Sequence, residues 1–301
     1  MQSFPTLILG DTTKMKTYLE CLPCLVHQAL DAVRMVTDDE DVQAKLVRQA
    51  LSECAEFAFE YPPPVMGARI QEIVREGTGA DDPYRAAKQR SNEFALELLP
   101  GLAERVERAD DPFGAALRLA AAANVIDLGA KAGHDTSEEA VRAELGAALD
   151  EPLPGAAVAR LKTDCEAADS ILYLADNAGE IVFDRLFIEH LPAGRVTVAV
   201  RGGPILNDAT AEDARQAGIP EVAELTDNGT RMPGTVLEEC SAEFRDLFRE
   251  ADVVISKGQG NYETLSEVDR DIFFLLRVKC PVLARDTRAA VGKLVLLPPG
   301  P

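Results

Sequence analysis

Residues 172–184 read LYLADNAGEIVFD, and this stretch decides how the fold is interpreted. An apolar run as long as a buried strand ends at Asp176 and Asn177, and apolar residues with helical spacing resume after Gly179. The pattern predicts a strand that leads directly into a helix, the first step of a βαβ unit. The turn between them carries a carboxylate, a carboxamide and a second carboxylate, that of Glu180.

Further short apolar runs follow that stretch, and each has the character of a β-strand. Helical segments separate the runs, which is the pattern of repeated βαβ units. The sequence therefore predicts an α/β fold with a mostly parallel sheet and helices on both faces. The predicted strands are ILYLA (171–175), RVTVAV (195–200), EVAEL (221–225), DVVIS (252–256) and DIFFLL (271–276).

The half of the chain before this sheet has a helical pattern. Its apolar residues recur at intervals of three and four, and proline and glycine divide it into about seven predicted helices. No convincing strand precedes residue 170. We expect an all-helical N-terminal domain over 15–165 and an α/β domain over 166–301. Residues 1–14 precede a second methionine, Met15, and are expected to form a poorly ordered extension.

The charge of the chain limits the classes of partner. The 31 basic and 51 acidic residues give a net charge of −20, whereas nucleic acid and anionic membrane surfaces call for a basic footprint. A small anion can still bind where backbone N–H groups, one lysine and a metal ion reverse the local field. No apolar run approaches the roughly 20 residues of a membrane span, and no signal peptide is recognisable, so we expect a cytoplasmic location.

Three of the predicted strands end in polar or glycine-rich turns, which should share one edge of a parallel sheet. Asp176, Asn177 and Asp208 would offer two carboxylates and a carboxamide there, ligands that suit Mg²⁺, Mn²⁺ or a similar divalent ion. Taken alone, the first turn is equally typical of an ordinary helix start. The turns are DNAGE (176–180), RGGPILND (201–208) and KGQGN (257–261).

Lys257 lies between an apolar strand and a glycine-rich turn, as phosphate-binding lysines do. The backbone N–H groups of Gly258 and Gly260 can approach an anion closely. A metal beside such a turn would serve phosphoryl transfer or phosphoester hydrolysis. Glycine-rich turns without a function are also common. The signatures GxGxxG after the first strand, GxxxxGK[ST] and GxSxG are absent, which leaves dinucleotide, P-loop and nucleophile-elbow chemistry unsupported.

Four segments carry a resemblance to a known family: DNAGE, GGPILNDAT, DNGTRMPGTVLEECSAEF and KGQGNYETL. They resemble the damage-control phosphatase family, also called the domain-of-unknown-function 89 family, in its prokaryotic branch that begins with CxxC. The resemblance extends from about Met15 to the C-terminal strand. It implies an N-terminal helical part, a Rossmann-like α/β part and metal-dependent phosphatase activity on small phosphorylated metabolites.

The resemblance also implies roles for single residues. Asp176, Asn177 and Asp208 would bind the divalent ion, which we expect to be Mn²⁺, Co²⁺, Ni²⁺ or Mg²⁺, and Lys257 would hold the phosphate. These are the residues that the shared sheet edge selects.

Further residues complete the expected substrate-binding set. The resemblance extends to the segments DPYRAAKQRSN (82–92) and AANVIDLGA (122–130), so Asn124 and Asp127 are expected to face the site. The backbone from Gly258 through Gly260 to Asn261 would contact the phosphate oxygens, assisted by Arg201 or Glu180. For Asn124 and Asp127, the alternative is that they cap or pack a buried helix.

Cys21 and Cys24 form a CxxC motif whose role the sequence leaves open. A redox pair usually accompanies a thioredoxin-like strand-to-helix junction, which is missing here. A structural zinc site needs four ligands, and no second CxxC or His pair supplies the others. We interpret the two residues as thiols near a helix start, and the other four cysteines as buried thiols.

The reaction also has open alternatives. Either a water molecule or a carboxylate that forms an aspartyl-phosphate could attack the phosphorus. Two other classes of function are an S-adenosylmethionine-dependent carboxyl methyltransferase and a non-catalytic module that binds a metal or ligand. The sequence specifies neither the physiological substrate nor the oligomeric state.

Overall fold

The computed structural model describes residues 15–126 and 138–300. The predicted extension, residues 1–14, lies outside the described residues, and so does Asp127.

The first half of the described chain is helical. Asp39 begins the second helix by accepting hydrogen bonds from the backbone N–H groups of Asp41 and Val42, and Pro63 and Pro64 occupy the first turn of the third. Seven α-helices precede the first strand in the described residues, as the sequence predicts. They are α1 (Cys21–Val36), α2 (Glu40–Glu56), α3 (Pro63–Thr78), α4 (Arg85–Glu107), α5 (Pro112–Ala122), α6 (Glu138–Ala148) and α7 (Gly155–Ala167).

The second half forms a six-stranded sheet in the order β3-β2-β1-β4-β5-β6. The first five strands in the chain are parallel, and β6 runs antiparallel to β5. This confirms the predicted mostly parallel, Rossmann-like α/β fold. The strands are β1 (Ile171–Leu174), β2 (Val196–Val200), β3 (Glu224–Asp227), β4 (Val253–Lys257), β5 (Phe273–Arg277) and β6 (Leu294–Leu297).

The predicted strand at 221–225 begins too early. Residues Ile219–Glu221 form a short 3-10 turn, and β3 starts only at Glu224. Pro220 explains the difference, because its ring fixes φ and removes one hydrogen-bond donor.

Helices cover both faces of the sheet. The first face carries Tyr173 and Ile255 and packs against α4 to α8, whereas the second face carries Leu172 and Val254 and packs against α10 to α12. The period-two alternation of buried side chains along each strand produces these two cores. The remaining helices are α8 (Glu180–Ile188), α9 (Ala211–Gln216), α10 (Ala242–Glu250), α11 (Gly258–Leu265) and α12 (Pro281–Thr287).

The two halves of the chain share one core. Helices α4 to α7 bury their apolar sides on the first face of the sheet, while α1 to α3 form smaller apolar clusters of their own. The domain division at residue 165 stays a prediction, and packing is continuous across it. No helix within residues 15–126 and 138–300 is long and apolar enough to cross a membrane.

The strand order reverses direction between β1 and β4. The chain leaves β1 through α8 towards β2, and it leaves β4 through α11 towards β5 on the other side. The connections of the neighbouring strands β1 and β4 thus diverge, and ligands of such sheets bind outside the carboxyl ends of the strands at that point.

Candidate active site

The turns after β1 and β2 are joined by backbone contacts. The N–H of Ala178 donates to the Asn207 carbonyl at 2.9 Å, and the N–H of Ala209 donates to the Asp176 carbonyl at 2.8 Å. Asn177 and Asp208 form an isolated antiparallel β-bridge. The structure thus brings together the three residues that the sequence selects as metal ligands.

The turn after β4 approaches the same point. A Cβ added to Gly258 would lie 1.9 Å from Oδ2 of Asp176, and Gly258 has a φ of +79°. Only glycine fits there, because both the space and the backbone conformation exclude a side chain. The turns after β1, β2 and β4 therefore meet around Asp176.

Asp176 lies among hydrogen-bond donors and other acids. Its Oδ2 accepts from Nδ2 of Asn124 at 2.9 Å and from Nδ2 of Asn177 at 2.6 Å. Burial, together with the charges of Glu180 and Asp208, raises the pKa of Asp176 to about 8. The carboxylate is therefore held in place by amides in surroundings that are short of positive charge.

Arg201 orients Asp208. Its Nε donates to Oδ2 of Asp208 at 2.6 Å, and its Nη2 donates to Oδ1 of Asn261 at 3.1 Å. Nη2 also lies 4.0 Å from Oδ1 of Asp176, and the residue is only 2% exposed. The guanidinium is thus bound within the protein, beside both carboxylates.

Asn261 is fully buried and fully hydrogen-bonded. Its Nδ2 donates to the carbonyls of Ala175 and Lys257, and its Oδ1 accepts from Arg201 and from the hydroxyl of Thr235. Its side chain joins the ends of β1 and β4 and has no group left for a substrate.

Lys257 points into the core of the first face. Its Nζ donates to Oε1 of Glu180 at 2.7 Å, to Oδ1 of Asp184 at 2.5 Å and to the Ala120 carbonyl at 3.0 Å. An ammonium has three donors, and all three are used here. Burial alone would lower the pKa of Lys257, but the adjacent carboxylates of Asp184 and Glu180 raise it above its usual value.

Glu180 is saturated in the same way. Its Oε2 accepts from Nδ2 of Asn124 at 2.8 Å and from Nδ2 of Asn177 at 3.0 Å, and its Oε1 accepts from Lys257. The residue is 1% exposed. Glu180 therefore orders the two amides that hold Asp176.

Asp184 belongs to the site and was missed in the sequence. It is fully buried, its Oδ1 accepts from Lys257 and from the Tyr173 hydroxyl, and burial raises its pKa to about 6 although Lys257 opposes the shift. The sequence could have indicated its role, because Asp184 lies four residues after Glu180 and therefore on the same side of α8.

Lys279 is a second residue that the sequence interpretation missed. It follows β5 at the same edge, is exposed, and has its Nζ 3.5 Å from the Asn124 carbonyl. Its charge acts to lower the pKa of Asp176, against the larger effect of burial. The sequence contains no signal for Lys279, because the end of β5 carries no glycine-rich or acidic turn.

The first turn of α11 supplies backbone donors to the site. Gly258 to Gly260 are the first three residues of this helix, so their N–H groups have no acceptor within it. The N-terminus of a helix favours anions. Gly258, which contacts Asp176, places this positive end against the acidic turn.

Comparison with known proteins assigns the chain to a family. The model of the damage-control phosphatase ARMT1-like domain matches residues 17–295. The chain belongs to this family. The predicted resemblance is thereby confirmed, and membership of the CxxC branch stays a prediction.

Two relatives of the chain carry the name damage-control phosphatase. A damage-control phosphatase of Archaeoglobus fulgidus is 38% identical over 286 residues, which cover 93% of this chain and 98% of that protein. One of Pyrococcus horikoshii is 36% identical over 288 residues, 94% of this chain and 98% of that protein. The crystal structure of a domain-of-unknown-function 89 protein from P. horikoshii superposes with a TM-score of 0.84 at 34% identity, covering 95% of this chain and all of that one.

The donor set fits the divalent metal that damage-control phosphatase membership suggests. Four buried carboxylates, those of Asp176, Glu180, Asp184 and Asp208, surround two buried cations, Lys257 and Arg201. When all four carboxylates are ionised, they exceed the two cations by two negative charges, which a divalent ion would offset.

The ligand types agree with a hard cation. Among the described residues, Oδ1 of Asn124 is buried without a hydrogen-bond partner. No group of three or more His, Cys, Asp or Glu suited to a metal occurs there. This finding is compatible with a site made of Asp176, Asn177 and Asp208, because Asn177 is a carboxamide and such a site has only two carboxylates.

Replacement of Lys257 by methionine should destabilise the protein strongly. The change leaves Glu180 and Asp184 buried without a counter-charge, which typically costs about 3–5 kcal/mol of unfolding free energy. Urea unfolding followed by circular dichroism measures the loss.

Arg249→Met is the matched control for this test, because Arg249 forms its ion pairs at the exposed surface and its loss should change little. Adding Asp184→Asn to Lys257→Met should restore part of the stability. If the unfolding free energy of Lys257→Met equals that of the wild-type chain, the assigned role of the ammonium is wrong.

Proposed function

We propose that the chain is a divalent-metal-dependent phosphomonoester hydrolase that acts on small phosphorylated metabolites. The observation that carries the proposal is the meeting of Asp176, Asn177 and Asp208 beside the first turn of α11. Family membership and the relatives named damage-control phosphatases support the coarser part of the proposal, phosphatase activity.

Asp176, Asn177 and Asp208 would hold the metal, which we expect to be Mn²⁺, Co²⁺, Ni²⁺ or Mg²⁺. When bound, such an ion polarises phosphoryl oxygens and lowers the pKa of a coordinated water. The protein supplies the alignment of the ligands. Asn124 holds Asp176, and Arg201 holds Asp208.

The phosphate would bind to the N–H groups of Gly258 to Gly260, assisted by the ammonium of Lys279. Lys257 takes a different role from the one that the sequence suggested, because its three donors are used within the protein. We assign it the compensation of the charges of Glu180 and Asp184. Arg201 and Asn261 likewise orient other residues instead of contacting the substrate.

Two alternatives have less support. For a methyltransferase, the turn after β1 would have to bind a cofactor, but it is acidic and is filled by Gly258 and Asn124. A non-catalytic module would bind the metal without turnover. Nucleic acid and membrane surfaces remain disfavoured by the net charge of −20, and a cytoplasmic location stays a prediction.

Hydrolysis of p-nitrophenyl phosphate should require one of the four divalent metals and disappear with EDTA. Asp176→Ala and Asp208→Ala should each lower kcat/KM by about 100-fold or more, because each removes a metal ligand. Release of p-nitrophenol measures the rate, and Asp246→Ala, a change at an exposed carboxylate, is the control. Metal binding without turnover in a screen of phosphorylated metabolites would favour the non-catalytic module.

Gly258→Ala should inactivate the enzyme while the chain stays folded. The new methyl group would displace the Asp176 carboxylate, and a displacement of about 1 Å can cost about 100-fold in rate. Gly79→Ala is the matched control, since Gly79 has a φ of +74° but open space around it. Both variants carry similar backbone strain, so equal losses of kcat/KM would count against a role for the contact between Gly258 and Asp176.

Lys279→Met should raise KM for a phosphomonoester by about tenfold, because a charge-assisted hydrogen bond to the phosphate is lost. Lys293→Met is the control, since its side chain is 64% exposed and lies 4.0 Å from Glu151. Steady-state kinetics at saturating metal separate KM from kcat. An unchanged KM would remove Lys279 from the substrate site.

A further inference from the structure

Asn92 in α4 is fully buried, and its carboxamide lies between two of the turns that form the candidate active site. Its Oδ1 accepts a hydrogen bond on one side, and its Nδ2 donates on the other. The orientation of the amide follows from these partners, because the reverse orientation would place its oxygen against the carboxylate of Asp213. One side chain from the helical half therefore contacts both turns.

The first contact is with the turn after β1. The N–H of Gly179 donates to Oδ1 of Asn92 at 2.6 Å. Gly179 is the N-cap of α8, so this N–H has no acceptor within the helix. The backbone here is pressed against α4, since a Cβ added to Gly179 would lie 3.0 Å from Cβ of Ser91. Asn92 thus holds the turn two residues after Asn177.

The second contact is with the segment that follows Asp208. Nδ2 of Asn92 donates to Oδ1 of Asp213 at 2.9 Å. The other carboxylate oxygen of Asp213 accepts from the N–H of Thr210 at 2.8 Å and from its hydroxyl at 2.7 Å, which forms a capping box at the start of α9. Thr210 lies two residues after Asp208. The hydrogen bonds of Asn92 thereby extend to the turn after β2.

Lys88 anchors this network on α4. It is 4% exposed, and its Nζ lies 3.0 Å from Oδ2 of Asp82 and 3.5 Å from Oδ2 of Asp213. Lys88 and Asn92 are four residues apart and therefore share one side of the helix. The buried carboxylate of Asp213 thus has a counter-charge as well as hydrogen bonds, the condition under which a buried polar network is rigid.

We propose that Asn92 is a positioning residue that sets the spacing of the metal ligands. This inference rests on the proposed function, in which Asp176 and Asn177 come from one turn and Asp208 from the other. Loss of the carboxamide would leave a buried N–H and a buried carboxylate oxygen short of a partner, and the two turns could then move apart. Residues that orient metal ligands in this way typically contribute about 10–100-fold to metal affinity.

Calorimetric titration of the metal-free full chain with Mn²⁺ tests the proposal. Asn92→Ala should weaken Mn²⁺ affinity by about 10-fold or more. Asn92→Asp should weaken it as well, because the new carboxylate would face that of Asp213. Gln89→Ala is the matched control, since Gln89 is an exposed amide of the same helix that bonds only Glu93 at 2.9 Å among the printed contacts of its side chain.

A double variant separates positioning from general damage to the fold. Combining Asn92→Asp with Asp213→Asn reverses donor and acceptor and keeps the net charge. The carboxylate at position 92 can accept from Gly179 and from the new amide at position 213, whose oxygen still accepts from Thr210. This variant should recover most of the Mn²⁺ affinity that Asn92→Asp loses. The inference is wrong if the double variant binds Mn²⁺ no more tightly than Asn92→Asp.

Hydrogen exchange of the Gly179 amide gives a readout that needs neither metal nor turnover. Measured by NMR in the metal-free chain, exchange should be faster in Asn92→Ala than in the wild-type chain and unchanged in Gln89→Ala. Circular dichroism shows whether each variant is folded. Equal exchange rates, or wild-type Mn²⁺ affinity in folded Asn92→Ala, would also overturn the role of Asn92.

These measurements distinguish this inference from the proposed function. A wild-type chain that binds Mn²⁺ but hydrolyses no phosphomonoester rejects the proposed function, while the affinities of the variants still decide the role of Asn92. A wild-type chain that hydrolyses its substrate, with unchanged Mn²⁺ affinity in Asn92→Ala, rejects only the role of Asn92. Absence of divalent-metal binding by the wild-type chain rejects both.

Discussion

The ion pairs of Lys257 constrain the rest of the site. A fully buried ammonium at the end of β4 lies between the carboxylates of Glu180 and Asp184 and contacts the carbonyl of Ala120 in α5. A buried cation of this kind is tolerated only when every donor has a partner. It therefore fixes α8 against β4, and α8 begins directly after the turn that carries Asp176. Through Glu180 the same ammonium determines where the amides of Asn124 and Asn177 point.

Much of this arrangement followed from the sequence, for identifiable reasons. Parallel strands end at a common edge, so three polar turns that follow strands had to meet, and Asp176, Asn177 and Asp208 do. Lys257 also lies at this edge, but its side chain points into the core and not, as the glycine-rich turn had suggested, towards a bound phosphate. Side chains alternate along a strand, and Lys257 shares the parity of Val253 and Ile255, which face the core under α5 and α8. The alternation of side chains along β4 therefore predicts that the Lys257 ammonium faces the core.

Other parts could not be read from the sequence. Asp208 reaches Asn177 through a loop in which Leu206 adopts a φ of 47°, a conformation that leucine rarely takes and that no local pattern predicts. Lys279 follows a strand whose end lacks any special turn. The ion pair of Glu20, just before α1, with Arg285 in α12 joins residues that are 265 positions apart in the chain. Tertiary contacts of this kind leave no periodic signal.

The Ala120 carbonyl has a broader consequence. It belongs to the helical half, yet it accepts one of the three hydrogen bonds of Lys257 in the sheet. A fragment that began at residue 166 would keep every strand but would deprive the ammonium of one acceptor and expose the apolar first face to water. On these contacts we expect the two halves to unfold together, although they follow the predicted division near residue 165.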